Sequence, residues 1–138
     1  MSFVLDASVA LAWSFVEERT APVMDLLDRV TREGAAAPQI WPLEVLNALL
    51  AAERRGRVTT AGRRERLGLL RGLRVAIDSE TAAQVWSGIG SLAEAHGLTA
   101  YDAAYLELAI RLGTPLATSD KKLATAAATL KVPLLLQA

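Results

Sequence analysis

The chain has no cysteine, which excludes disulfide staples, thiolate nucleophiles and zinc sites built on sulfur, and fits a reducing, cytoplasmic setting. Histidine is almost missing too. His96 stands alone, so no histidine pair can frame a metal, and a bound cation must rest on oxygen. Just before Gly97, His96 reads as a helix C-terminal residue facing the helix dipole. Large aromatic anchors are few, and Trp13, Trp41 and Trp86 read as core or interface residues, with stacking on a base as the alternative for one of them. No uncharged apolar run approaches the ~18 residues of a membrane span. The apolar stretches 3–5 and 9–15 are broken by Asp6 and lack a preceding basic segment, so no signal peptide is expected and the protein reads as soluble. Repeats, low-complexity tracts and a phosphate-cradling glycine-rich loop are also missing. Net charge is zero, which taken alone speaks against a nucleic-acid partner.

What is present changes that last point. Between Arg54 and Arg74 lie Arg54, Arg55, Arg57, Arg63, Arg64, Arg66, Arg71 and Arg74 against only Glu65, a surplus of seven positive charges that the rest of the chain must balance. A neutral total therefore conceals a basic arm on an acidic body. At 138 residues, 52% of them apolar, the chain suits one domain spanning 1–138 with one core and has no room for a second.

Apolar spacing predicts a strand at 3–5 feeding a helix at 7–15, then a helix at 21–32 stopped by Gly34. Residues 35–38 read as a short passage. Pro42 sits in the first turn of a third helix with an apolar stripe of Val45, Leu46, Leu49 and Leu50. Gly56 ends it and Thr59 or Thr60 caps the next, making the arginine-rich segment a protruding helical hairpin. A strand at 75–77 precedes a helix capped by Asp78 or Ser79 and running to about His96. Thr99 caps a helix at 100–112. A strand at 116–118, a helix at 121–130 and a final strand at 132–136 complete the pattern. Short strands alternating with helices imply an α/β fold: a three-layer αβα sandwich on a short-stranded, mainly parallel sheet.

Ligands of such sheets bind beyond the carboxyl ends of the strands. Asp6 and Asp120 each follow a strand at that edge, while Asp102 and Glu44 occupy the first turns of their helices. Singly, each also reads as a local stabiliser: Thr99-x-x-Asp102 has the form of a capping box, Asp6 can cap the helix after it, and Asp120 complements a helix dipole. As a set they say more, because clustered carboxylates stay ionised at neutral pH when a cation compensates them, and oxygen donors select Mg2+ or Mn2+. Such a site suits phosphoryl chemistry.

The segments Val4-Leu5-Asp6-Ala7-Ser8-Val9, Pro42-Leu43-Glu44-Val45-Leu46-Asn47-Ala48-Leu49, Leu98 through Ala109 around Asp102, and Leu116-Ala117-Thr118-Ser119-Asp120-Lys121-Lys122-Leu123 resemble the four acidic blocks of PIN domains, in order and spacing. The resemblance spans essentially the whole chain, and its small size is similar to VapC toxins of toxin-antitoxin pairs. It implies a Mg2+-dependent ribonuclease with Asp6, Glu44, Asp102 and Asp120 as the acidic site: Asp6 and Asp102 as metal ligands, Asp120 as a ligand or water-mediated contact, and Glu44 orienting or deprotonating the attacking water. Ser8 and Thr118 are candidates for holding substrate phosphate or the carboxylates, with capping or packing as the alternative, and Asn47 for a hydrogen bond within the site. The hairpin, Arg54 and Arg55 included, either guides RNA or is a solvated helical face; its stripe of Leu67, Leu69, Leu70 and Leu73 can instead meet a partner chain. The resemblance further implies a VapB-like antitoxin and a homodimer. Two other readings remain. A phosphatase with an aspartate nucleophile would want a second aspartate where Ser8 stands, and a noncatalytic RNA-binding or scaffolding protein would not need the acidic set.

Overall fold

The computed structural model describes residues 3–136. In chain order the elements are β1 (Val4–Leu5), α1 (Ala7–Trp13), a 3-10 turn (Val16–Glu18), α2 (Ala21–Glu33), β2 (Ala35–Ala37), α3 (Trp41–Arg54), α4 (Thr60–Arg71), β3 (Val75–Ile77), α5 (Thr81–Gln84), a π-helical turn (Val85–Ile89), α6 (Gly90–His96), α7 (Ala100–Leu112), β4 (Leu116–Ala117) and α8 (Lys121–Thr129). The strands form one parallel sheet in the order β3-β2-β1-β4. Val4 is paired with Ala36 on one side and Leu116 on the other, so β1 is central and β4 is its direct neighbour. The expected α/β architecture is present, a parallel sheet flanked by helices.

Phe3, Val4, Leu5, Leu116 and Ala117 are all fully buried, the continuous apolar run of a parallel strand covered on both faces. Helix α7 packs on β1 and β4 and is buried residue by residue from Ala103 to Ala109, which explains its weak amphipathic pattern. Its start is set by Thr99, whose hydroxyl accepts from the Asp102 N–H at 3.1 Å. Gly34 ends α2 at φ +77, and a Cβ there would lie 3.1 Å from the Arg74 carbonyl oxygen. Both the left-handed backbone and the close approach call for glycine.

Four expectations need correction. Residues 35–38 are not a mere passage: three alanines form β2, the strand joining β1 to β3. Alanine has little strand preference, but here small side chains are buried between covering helices, and packing overrides propensity. The final strand at 132–136 is reduced to a single bridge, Leu134 to Leu116. Lys131 takes a positive φ of 61 and Pro133 has no N–H to donate, so only the Pro133 carbonyl and the Leu135 N–H bond to Leu116. The first helix stops at Trp13, two residues early. Neither Asp78 nor Ser79 caps the helix after β3: it begins at Thr81, and the Asp78 carboxylate accepts from the Thr81 hydroxyl. That helix also passes through a π turn, at Gly88, where a Cβ would meet the Glu107 side chain at 3.2 Å.

Candidate active site

Asp6 stands directly after β1 in the N-cap position of α1, yet its side chain does not cap that helix. Oδ2 instead accepts from the Ser8 hydroxyl at 2.6 Å and the Thr118 hydroxyl at 2.7 Å. Both hydroxyls are relays. Thr118 Oγ1 accepts the Asp120 N–H and Ser8 Oγ accepts the Ser119 N–H, each at 3.0 Å. With the Asp6 N–H donating to the Ala117 carbonyl, the turns after β1 and β4 are locked into one unit. The capping reading of Asp6 therefore gives way to a carboxylate that is buried, aimed and held. Asp120 does cap: its Oδ1 accepts the Leu123 N–H at 2.9 Å.

Glu44 lies in the first turn of α3 and Asp102 in the first turn of α7. Glu44 Oε1 accepts the Tyr105 hydroxyl at 2.5 Å, a contact between residues far apart in sequence. Asp6, Ser8, Glu44, Asn47, Asp102 and Asp120 line one open cleft of about 340 Å³. Thr118 is buried behind it. All four acidic residues singled out from the sequence thus come together at the carboxyl edge of the sheet. Arg54 and Arg55 do not; they sit at the far end of α3, ~15 Å along the helix from Glu44 at 1.5 Å per residue.

The electrostatics of the cleft follow from its composition. Burial pushes the Asp6 carboxyl above its ordinary range, against the pull of the Ser8 and Thr118 hydroxyls, and Asp120 pushes it further. Glu44 is raised by burial and by Asp6 and Asp102, with Tyr105 opposing. Asp102 is raised by burial, then by Asp120 and Asp6. The cleft is a region of crowded negative charge, offset at Asp102 only in part by Lys122, that a cation would relieve. Among the described residues no three acidic or histidine side chains close into a ready-made metal cage. An all-oxygen wall of this kind fits Mg2+, which is held through one or two carboxylates with water completing its shell.

The arginine hairpin is less free than its composition suggests. Arg57 pairs with Glu17 and Glu18 and stacks on Phe15 at 3.8 Å. Arg63 pairs with Glu53, Arg66 donates to the Ser14 carbonyl, and Arg74 to the Arg32 carbonyl. Arg54 and Arg55 are exposed and make no ion pair among the described residues. Of the leucine stripe, Leu70 is buried and Leu69 exposed, while Leu67 and Leu73 pack against the core. Trp13 and Trp41 are core residues, whereas Trp86 is 88% exposed. Tyr105 was missed as a site residue; the available signal was its position one turn after Asp102 on the same helix.

The fold and the cleft define a class: small α/β domains that gather carboxylates at the carboxyl edge of a short parallel sheet. The chain belongs to the PIN-domain family, whose profile matches residues 3–128. It is 33% identical over 129 residues to Ribonuclease VapC3 of Pyrobaculum aerophilum, covering 90% of this chain and 93% of that one. Among solved structures, a protein of Pyrobaculum aerophilum is similar at a TM-score of 0.71 with 24% identity, covering 97% of this chain and 83% of that one. VapBC2 of Rickettsia felis, solved bound to a DNA fragment from its promoter, is similar at 0.68 with 14% identity and 97% coverage of both chains. At those identities the structural likeness speaks for the fold. No helix among the described residues is long and apolar enough to cross a membrane.

Proposed function

We propose that this chain is a Mg2+-dependent endoribonuclease, with Mn2+ able to substitute, and the toxin of a VapBC-type pair restrained by a VapB-like antitoxin. The observation that carries the reading is the convergence of Asp6, Glu44, Asp102 and Asp120 on one cleft, in a chain one-third identical to a protein named as a ribonuclease. Asp6, Asp102 and Asp120 are the residues that would hold the cation, and Glu44 the one that orients or deprotonates the attacking water. When bound, the metal supplies charge neutralisation and lowers the pKa of water. The protein's own part is placement. Ser8 and Thr118 meet the same oxygen of Asp6, which fixes the carboxylate's rotation, so these two residues support the acidic site rather than grip substrate phosphate. Asn47, one turn beyond Glu44 in the cleft wall, is the polar group placed to meet RNA. Arg54 and Arg55 remain candidates for contacts to more distant phosphates. The working assembly is taken to be a homodimer.

The test is cleavage of a mixed structured RNA pool at low salt with Mg2+, with Mn2+ and with EDTA, for the wild type and Asp102→Asn. Cutting that requires both the metal and Asp102 is the expected result. No cutting, combined with no Mg2+ or Mn2+ binding by calorimetry, overturns the reading in favour of a noncatalytic RNA-binding protein.

A further inference from the structure

We infer that Tyr105 is a positioning residue for Glu44: its hydroxyl fixes the carboxylate at the cleft wall and ties α3 to α7 at the spacing the acidic cleft uses. The inference rests on the nuclease reading above. Tyr105 is fully buried and lies three residues after Asp102, so the two occupy the same face of α7. Its Oη reaches across to Oε1 of Glu44 at 2.5 Å, the length of a hydroxyl bonded to an ionised carboxylate. Burial, reinforced by the neighbouring Glu44, holds the phenol far above its ordinary pKa, so it keeps the proton that it shares with Glu44.

A buried tyrosine needs some acceptor, and a backbone carbonyl would satisfy that need. This one is matched instead to a carboxylate that burial and the charges of Asp6 and Asp102 both disfavour. Among the described residues Glu44 has no other side-chain donor, so Tyr105 is the polar contact that orients it. The contact also matters between elements. Helices α3 and α7 have few other close approaches, and α3 carries Glu44 and Asn47 while α7 carries Asp102. Both helices share the apolar core, and the hydroxyl adds a directed polar tie between the two walls, so its loss lets Glu44 rotate toward water without emptying the core.

The experiment compares Tyr105→Phe, Glu44→Gln and the double variant on the RNA found to be cut. Phenylalanine keeps the ring, so folding is expected to survive, and urea unfolding checks it. Tyr105→Phe is expected to lower kcat ~10-fold or more, as misplaced catalytic groups do, with KM within about two-fold. In the Glu44→Gln background the same change should alter kcat less than about two-fold, because a residue that acts only through Glu44 has nothing left to position. Equal losses in both backgrounds would mean a merely structural role and overturn the inference. A second readout needs neither metal nor activity: proton spectra of the metal-free protein should show a downfield, slowly exchanging hydroxyl proton, lost in Tyr105→Phe and moved upfield in Glu44→Gln. A hydroxyl proton indifferent to Glu44→Gln overturns the clamp itself. A wild type that cuts no RNA overturns the nuclease reading and the catalytic role of the clamp, while the hydroxyl signal separately reports the contact.

Discussion

The Thr118 hydroxyl donates to the Asp6 carboxylate at 2.7 Å, joining the turn after β4 to the turn after β1 across most of the chain. Both residues are buried, Thr118 at 1% and Asp6 at 5% exposure, so neither water nor a mobile side chain can replace the bond. Thr118→Val keeps the shape and removes both the donor to Asp6 and the acceptor of the Asp120 N–H. A hydrogen bond to a buried charged group is worth ~2 kcal/mol, and urea unfolding at neutral pH should show a loss of about that size. The loss should shrink by about half in an Asp6→Asn background, where the bond to residue 6 is neutral but the Asp120 N–H still loses its acceptor. Equal losses in both backgrounds would show that the Asp6 charge contributes nothing through this bond.

The acidic cleft should make metal-free stability depend on pH in a defined direction. Asp6, Glu44 and Asp102 all have folded pKa values raised above their ordinary values. A carboxyl raised on folding favours the folded state fully only below its unfolded pKa, and that contribution is lost as pH rises through the folded value. From about pH 4 upward, the protein in EDTA should therefore lose stability relative to Asp6→Asn. Other groups titrate in the same range, Asp78 in the opposite sense beside Arg111, so the quantity to follow is the difference in Tm between wild type and variant. Asp6→Asn should be the more stable protein at pH 7, with its advantage shrinking toward acid. A difference that is flat with pH would count against the burial that, with Asp120 adding to it, raises Asp6.

Metal should reverse that order. A cation bound by the folded state alone stabilises it by RT ln(1 + [L]/Kd), ~2.7 kcal/mol at a hundred times Kd. Calorimetric scans with Mg2+ or Mn2+ should raise the wild-type Tm in a concentration-dependent way and leave Asp6→Asn and Asp102→Asn nearly unmoved. An equal rise in all three would place the binding elsewhere on the molecule.

The sequence disclosed the acidic set because each carboxylate sits beside a strand end or a helix start, and both boundaries leave local marks. Thr99, Gly97 and Gly113 bracket α6 and α7 with caps and stops that the structure reproduces. What stayed hidden depends on contacts between distant residues. The strand β2 is three alanines whose extended state is set by its neighbours, and no periodicity in Ala35–Ala37 could announce it. The π turn at Val85–Ile89 brings Gly88 so near Glu107, 19 positions away by residue number, that a Cβ would lie 3.2 Å from its side chain. Arg57, Arg63, Arg66 and Arg74 looked available for RNA in composition, yet each is engaged by an acidic side chain or a carbonyl from elsewhere in the fold. Tyr105 belongs to the same kind: its spacing from Asp102 is visible, its partner Glu44 is not.

Arg111 supplies the last prediction, because it separates ion pairs that matter from those that do not. Its guanidinium bonds to Glu107 on its own helix and to Asp78 beyond β3, and the Glu107 and Asp78 side chains are only 9% and 12% exposed. Arg111→Met would keep the aliphatic stem and leave two shielded carboxylates facing each other without a cation. Breaking such a pair costs more than the pair contributes, since the remaining charge keeps its desolvation penalty. A loss of ~3 kcal/mol in urea unfolding is expected, at the lower end for buried pairs because Arg111 itself is partly exposed. Replacing Glu107 by Gln in the same protein should recover part of the loss by removing one orphaned charge. Arg29, paired with Glu33 on the exposed face of α2, provides the control: Arg29→Met should change stability by less than about 1 kcal/mol, as surface pairs do. Similar losses at both positions would show that burial of the partner carboxylates does not set the cost.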